Sequence, residues 1–166
     1  MAGGLLERRN ELDALRRAVS DTRTGRGCIV LVTGEAGIGK TSLIRAGIGR
    51  PSPEVRLLSG ACDDLLAPRA LGPLRDAARG SGGPLERALT SSPEAVFGAA
   101  VEELSASGPT VLVVEDVHWA DDATLDVLSH LARRVHTLPA AVVLSVRDEA
   151  VTPRRWPRRR TRCRRA

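Results

Sequence analysis

The sequence predicts an α/β fold in which helices cover both faces of a parallel sheet of about four strands. Four short apolar runs occur along the chain, and helix-like segments separate them. A glycine-rich segment directly follows the first run, and two acidic residues directly follow the third. Because ligands bind at the carboxyl ends of parallel strands, these observations predict a three-layer domain with its functional groups at one sheet edge.

The apolar runs themselves are the predicted strands, and the helices are predicted from apolar residues at three- and four-residue spacing. The predicted strands are residues 28–32, 55–58, 111–114 and 141–146. The predicted helices are residues 5–19, 40–46, 71–79, 84–89 and 93–105, and one that Asp121 or Asp122 caps. Residues 21–27 are predicted to form a polar turn, and the chain has no internal repeat.

The composition fits a single globular domain with an aliphatic core. The chain has 166 residues, of which 42% are apolar and 27% charged. Its three aromatic residues, Phe97, Trp119 and Trp156, are too few for a surface that stacks single-stranded nucleic acid. The cysteines form no CxxC pair, so neither zinc nor a disulfide framework is indicated. The absence of a long apolar run and of a secretory signal predicts a cytoplasmic protein with no membrane partner.

Positive charge is concentrated at the end of the chain. Eight of the 25 cationic residues are arginines in residues 151–166, which contain no acid, and the other 17 face 20 acids. Charge repulsion and two prolines predict a disordered tail over 151–166, following a domain over 1–150. The tail could contact nucleic-acid phosphates. Because the chain shows no groove-reading element, we expect no sequence-specific DNA binding.

Residues 34–41, GEAGIGKT, match the phosphate-binding pattern G-x-x-x-x-G-K-[ST]. Glycines let backbone N–H groups approach phosphate oxygens, and the following helix contributes the positive end of its dipole. Lys40, the one lysine among 25 cations, would reach the β- and γ-phosphates, and the Thr41 hydroxyl would bind Mg²⁺. The predicted nucleotide-binding residues of this loop are Gly34, Glu35, Ala36, Gly37, Ile38, Gly39, Lys40, Thr41 and Ser42.

Glu115 and Asp116 end the third apolar run. A carboxylate next to a core needs a cation, water or hydrogen bonds, and beside a phosphate loop the natural cation is Mg²⁺. Aligning the run places Glu115 at the metal and Asp116 at the attacking water, but the reverse assignment stays open. Side chains alternate along a strand, so both acids can point the same way only if the chain bends there. The predicted metal residues are Thr41, Glu115 and Asp116.

Arg147 ends the fourth apolar run. At the carboxyl edge of the sheet its guanidinium could contact a γ-phosphate. The alternatives are a surface arginine, or one that is neutralised by Asp148 and Glu149.

Three segments together resemble the ATPase domain of STAND-type regulators, and more narrowly the large ATP-binding regulators of the LuxR family and related AAA-like modules. They are residues 34–41, the stretch VLVVEDVHWADDATLDVL at 111–128, and LSVRDE at 144–149. The N-terminal segment LLERRNELDAL is similar to the motif with which the ATPase domain of that family begins. The resemblance covers roughly residues 5–150 and implies a three-layer P-loop NTPase fold.

The resemblance also implies roles for individual residues. Lys40 and Thr41 would contact phosphates and Mg²⁺, Glu115 and Asp116 would form the acidic pair, and Arg147 would be the sensor arginine. Arg8 would lie near the base or ribose. His118 and Trp119 belong to the motif, and Trp119 is expected to pack beneath the acidic loop. Such regulators continue with a fifth strand and further domains, so the sheet is expected to be incomplete at its C-terminal side. A truncated or frame-shifted gene product would explain the arginine-rich end.

The implied function is an ATP-binding, Mg²⁺-dependent module of a transcriptional regulator that hydrolyses ATP slowly as a switch. Lys40, Glu115, Asp116 and Arg147 are the predicted catalytic residues. ATP is favoured over GTP because Ras-type guanine recognition uses an N-K-x-D motif, and the lone lysine lies in the loop. Two alternatives stay open, namely a nucleotide-binding remnant without turnover and a small-molecule kinase. The expected partners are ATP and ADP, with self-association or regulator partners as further options.

Overall fold

The structure, a computed structural model, describes residues 8–49, 53–65, 69–91, 93–106 and 108–147. Its strands are β1 (Cys28–Thr33), β2 (Arg56–Ala61), β3 (Thr110–Glu115) and β4 (Ala140–Val146). They form one sheet in the order β1-β4-β3-β2, and every neighbouring pair is parallel. The α/β prediction with about four parallel strands is confirmed. The predicted tail over 151–166 lies outside the described residues.

Among the described residues, six α-helices cover the two faces of this sheet. They are α1 (Arg9–Thr22), α2 (Lys40–Ile48), α3 (Gly72–Ala78), α4 (Pro84–Ser91), α5 (Val96–Ala106) and α6 (Asp122–Ala132). A 3-10 turn over Pro93–Ala95 precedes α5 and replaces the first turn of the predicted helix 93–105. Within the part of the chain that the structure describes, no helix has both the length and the apolar character needed to cross a bilayer.

Separate apolar cores lie on the two faces of the sheet. Helices α1 and α2 bury Leu15 and Ile44 against Val111 and Val143 of the central strands. Helices α3 to α6 cover the other face, where their leucines pack against Leu112, Val114, Val142 and Leu144. The central strands β3 and β4 are buried on both faces, which is why their sequences are continuous apolar runs.

Some element boundaries differ from the predictions. The described helix α1 begins at Arg9, and the predicted start at residue 5 lies outside the described residues. The helix continues to Thr22, which the sequence analysis placed in a turn. Thr22 is fully buried and its hydroxyl donates to the Val19 carbonyl at 2.7 Å, so this residue completes the helix. Strand β2 extends three residues beyond the prediction, to Ala61, because it pairs in register with β3 as far as Glu115.

The parallel register brings the carboxyl ends of all four strands to one edge of the sheet. Thr33 of β1 pairs with Val146 of β4, and Glu115 of β3 pairs with Ala61 of β2. The glycine-rich loop, the acidic pair and Arg147 therefore leave the sheet at the same edge, where α/β proteins bind ligands.

A buried ion pair joins β2 to α5 away from this edge. The Arg56 guanidinium donates to Glu103 Oε1, and the Leu85 N–H donates to Glu103 Oε2 at 2.8 Å. The Glu103 side chain is fully buried, whereas 23% of the Arg56 side chain is exposed. The carboxylate thus depends on these two donors for the interactions that water would otherwise supply.

We expect Arg56→Ala to lower the free energy of unfolding by about 3 kcal/mol, because it leaves the Glu103 carboxylate buried without its cation. Urea denaturation followed by circular dichroism measures the change. The control is Arg26→Ala, which removes an exposed ion pair to Asp21 and should have a much smaller effect. Equal destabilisation by the two variants would contradict this interpretation of Glu103.

Candidate nucleotide-binding site

The loop over residues 34–39 connects β1 to α2, and it contains three glycines with positive φ, at positions 34, 37 and 39. Gly37 has φ 76° and Gly39 has φ 89°, values that residues with a side chain adopt only at a cost. Gly39 is the N-cap of α2, and its carbonyl accepts the Leu43 N–H at 2.9 Å. The N–H groups of the first turn of α2 have no partner within the helix, as at any helix N-terminus. This end of α2 therefore offers hydrogen-bond donors to an anion.

Lys40 reaches back across this loop. Its side chain is buried, and its ammonium donates to the carbonyls of Gly34 and Glu35, each at 2.9 Å. An ammonium has three N–H donors, so these two bonds leave one donor for a phosphate oxygen. The loop backbone therefore fixes the position of the cation before any ligand binds.

Thr41 and Glu115 meet between the start of α2 and the end of β3. The Thr41 hydroxyl donates to Glu115 Oε2, and both residues are half-buried. Hydroxyl and carboxylate oxygens are ligands that suit Mg²⁺. Of the two acids, Glu115 is therefore the one in contact with the hydroxyl that the sequence analysis assigned to the metal.

Asp116 marks a bend in the chain directly after β3. It has φ 54° and ψ 44°, a left-handed conformation that aspartate tolerates better than most residues. Its N–H donates to Ser145 Oγ of β4 at 2.8 Å, which anchors the bend to the neighbouring strand. The Asp116 side chain is 43% exposed. The bend removes the strict alternation that would send Glu115 and Asp116 in opposite directions.

Arg147 and Trp119 pack together beside the acidic bend. The Arg147 Cζ lies 5.8 Å from the centroid of the Trp119 ring, within the range of a cation–π contact. The Trp119 ring also lies against that of His118, with centroids 5.1 Å apart.

Burial lowers the pKa of His118. The negative charge of Asp116 raises this pKa, whereas the positive charges of Arg147 and Lys40 lower it further. The His118 ring borders the acidic bend, since its Nδ1 lies 3.9 Å from Asp116 Oδ1.

The oxygen atoms of Thr41 and Glu115 fit a magnesium ion whose remaining ligands are phosphate and water oxygens. Across the described ranges, no three His, Cys, Asp or Glu side chains converge into a cage that could hold a metal by itself. Mg²⁺ in nucleotide sites needs only one or two protein oxygens, because phosphates and waters complete its octahedron. Thr41 Oγ1 and the Glu115 carboxylate meet that requirement.

The family comparison matches the AAA ATPase domain over residues 4–144. This chain belongs to the AAA ATPase domain family. It is therefore a nucleotide-binding ATPase module with the P-loop NTPase fold that the sequence predicted.

Relatives of this AAA ATPase domain are longer proteins. An uncharacterized protein of Rhizobium meliloti (strain 1021) is 29% identical over 195 residues, covering 89% of this chain and 19% of the relative. The Aeropyrum pernix ORC2 protein, solved as ADPNP–ADP complexes, has the same fold. Its TM-score is 0.59 at 18% identity, with 85% of this chain and 41% of that chain covered. Drosophila ORC bound to AT-rich DNA and Cdc6 is more distant, with a TM-score of 0.48 at 18% identity over 92% of this chain and 53% of that one.

The other predicted nucleotide-binding residues are placed around the loop. Glu35 and Ser42 are exposed, and 41% of Ile38 is exposed. Arg8 precedes α1, and its carbonyl accepts the Leu12 N–H at 3.0 Å. Its role near the base or ribose stays a prediction.

Two residues near the site were missed by the sequence analysis. The Ser145 hydroxyl accepts the Asp116 N–H, and the Cys62 N–H donates to the Glu115 carbonyl at 2.9 Å. Asp121, one of the two predicted caps, does cap α6 by accepting the Thr124 N–H at 3.0 Å, and it also accepts a backbone N–H from the segment before α3 at 3.2 Å. Cys62 could have been found had the second predicted strand been extended to its true end, since it follows Ala61 directly.

We expect the Cys62 thiol of this AAA ATPase domain to resist alkylation. Burial raises its pKa to about 12, and the charges of Asp121, Asp116 and Asp63 add to the effect. At pH 8 the thiolate fraction is then about a thousandth of that of an ordinary cysteine. In a Cys163→Ser protein, iodoacetamide labelling followed by peptide mass spectrometry should show Cys62 reacting about a thousandfold more slowly than in the urea-unfolded chain. Labelling within tenfold of the unfolded rate would contradict the burial.

Proposed function

We propose that this AAA ATPase domain binds ATP with Mg²⁺ and hydrolyses it slowly, as the switch of a signal-transducing regulator of the LuxR or STAND type. The observation that carries the proposal is the Lys40 ammonium, held by the loop carbonyls beside the N-terminus of α2, which no described side chain caps. A fixed cation next to a helix N-terminus at a sheet edge suits a polyphosphate better than a neutral ligand.

In this proposal the loop and the end of β3 bind the two ends of the triphosphate. Lys40 and the N–H groups of the first turn of α2 would bind the β- and γ-phosphates, and Thr41 and Glu115 would hold Mg²⁺. When bound, Mg²⁺ neutralises charge on the phosphate oxygens. The Thr41–Glu115 hydrogen bond supports this assignment, because it keeps both oxygen ligands together at the N-terminus of α2.

Hydrolysis would use the remaining two predicted residues. Asp116 would orient and polarise the water that attacks the γ-phosphorus, and the bond from that phosphorus to the bridging oxygen would break to give ADP and phosphate. Arg147 would stabilise the charge that develops on the γ-phosphate oxygens. Its contact with Trp119 restricts the guanidinium to the same edge of the sheet as the loop.

The regulator role rests on the motif stretch 111–128, with the sequence HWAD after the acidic pair. The chain spans 19% of its Rhizobium relative and 41% of the ORC2 chain. A domain of this kind would act in the cytoplasm with ATP and ADP as its ligands. A switch needs bound states that persist, so slow turnover is expected.

Phosphate release by the purified 166-residue protein tests this proposal. We expect saturable ATP-dependent release that stops when EDTA removes Mg²⁺, together with ADP binding seen with a fluorescent analogue. Binding without release above the EDTA control would favour the alternative of a nucleotide-binding module without turnover. Transfer of phosphate to an added small molecule rather than to water would favour the kinase. The absence of binding to both nucleotides would contradict the whole proposal.

A further inference from the structure

The His118 side chain is buried beside the candidate site, and neither of its ring nitrogens has a hydrogen bond to any residue that the structure describes. Only 5% of the side chain is exposed, and both Nδ1 and Nε2 are enclosed. A neutral imidazole carries one N–H donor and one acceptor, and burying either without a partner costs free energy. Buried polar atoms in folded proteins nearly always have partners, so an exception next to a functional site needs an explanation.

The Asp116 carboxylate is the acceptor with which the missing hydrogen bond would form. Asp116 Oδ1 lies 3.9 Å from His118 Nδ1, which is about 1 Å beyond hydrogen-bonding distance. The two side chains differ in freedom, because the Asp116 side chain is 43% exposed whereas the His118 ring is enclosed and packed against Trp119. Rotation of the Asp116 carboxylate, rather than movement of the ring, is therefore what closes the gap.

We propose that His118 is a positioning residue whose Nδ1–H holds the Asp116 carboxylate in the orientation that polarises the attacking water. The inference rests on the proposed function, in which Asp116 acts on that water. Within the described part of the chain, Asp116 is held through its backbone: its N–H donates to Ser145 Oγ, and its carbonyl accepts the Trp119 N–H at 2.9 Å. A hydrogen bond from His118 Nδ1–H would fix the orientation of the Asp116 side chain. Removing a donor that orients a functional group lowers activity by about 10- to 100-fold in other sites.

A role in packing alone does not require these nitrogens. A phenylalanine would fill the same space against Trp119 without burying two unpaired polar atoms. The two interpretations therefore predict different behaviour for His118→Phe. If His118 only packs, the variant has normal turnover. If it positions Asp116, turnover falls while the fold is as stable as before.

The kinetic experiment compares three substitutions in the full chain. His118→Phe removes both nitrogens, His118→Asn places an amide N–H near Nδ1, and His118→Gln places one near Nε2. We expect His118→Phe to lower kcat for ATP by about 10- to 100-fold with its KM, ADP affinity and Tm near those of the wild type. His118→Asn should recover most of kcat, and His118→Gln should not. The control is His136→Phe, at an exposed position on a separate turn. Wild-type kcat in His118→Phe, or a parallel loss of ADP binding and Tm, would overturn the inference.

A second measurement does not depend on turnover. The chain has three histidines, so ¹⁵N–¹H correlation spectra of the rings can be assigned by single substitutions. With a non-hydrolysable ATP analogue and Mg²⁺, we expect His118 to carry its proton on Nδ1, and Asp116→Asn to shift the His118 signals alone. A proton on Nε2, or signals indifferent to Asp116→Asn in a protein that binds the analogue, would contradict the inference by itself. If the analogue does not bind, the proposed function fails instead.

Discussion

The Lys40→Ala protein should bind ATP about 10- to 150-fold more weakly than the wild type and should lose hydrolysis by about 100-fold or more. The affinity change corresponds to one charge-assisted hydrogen bond, of about 1.5–3 kcal/mol. The larger effect on hydrolysis follows because the ammonium stabilises charge that develops in the transition state. Fluorescent-nucleotide titration and phosphate release measure the two effects separately. The fold should survive, because the Gly34 and Glu35 carbonyls that Lys40 binds lie in a loop open to water at Glu35.

Arg45→Ala is the matched control for this variant. Arg45 is an exposed cation in the last turn of the same helix, so its removal changes the net charge equally without touching the phosphate loop. Nucleotide affinity should stay within about twofold of the wild type, since a distant exposed charge is largely screened. If Arg45→Ala and Lys40→Ala weaken binding equally, general electrostatic attraction explains the binding and the loop assignment is wrong.

The two acids at the end of β3 should separate into a binding residue and a turnover residue. Glu115→Gln should weaken nucleotide binding only when Mg²⁺ is present, because the amide is neutral but still accepts the Thr41 hydrogen bond. Asp116→Asn should keep binding and lower single-turnover phosphate release by about 100-fold or more. Titrations with and without Mg²⁺, together with single-turnover release, distinguish the two behaviours.

The same measurements decide the alternative that the sequence left open. If Asp116→Asn loses the Mg²⁺-dependent part of binding and Glu115→Gln keeps it, then the two roles are exchanged. Asp122→Asn is the control, since Asp122 is an exposed acid in the first turn of α6. Unchanged binding and turnover in both Glu115→Gln and Asp116→Asn would contradict a role for the acidic pair.

The central strands of the sheet were predictable because strands buried on both faces have uninterrupted apolar sequences. Residues 111–114 and 141–146 are apolar without interruption, which is what burial on both faces of a parallel sheet requires. The outer strand β2 was harder to delimit, because alternate residues are exposed and Gly60 interrupts its apolar pattern. The C-terminal end of helix α1 was misjudged, since the burial of Thr22 depends on tertiary packing that a local pattern does not contain.

The loop was predictable from its motif, whereas its surroundings were not. Lys40 and Thr41 follow from the spacing of two glycines, a lysine and a threonine. The anchoring of Asp116 by Ser145 depends on the register between β3 and β4, and no local pattern marks that serine. The isolation of the His118 ring nitrogens is likewise not marked by any local pattern.

Binding of ADP compared with adenosine tests the central claim, that residues 34–41 bind the phosphates of a nucleotide. Isothermal titration calorimetry of the 166-residue chain with Mg²⁺ should show saturable one-to-one binding of ADP. Adenosine should bind at least about 100-fold more weakly, because it lacks every group that Lys40 and the α2 N–H groups would contact. Equal affinities for ADP and adenosine, or heat from neither ligand, would contradict the claim.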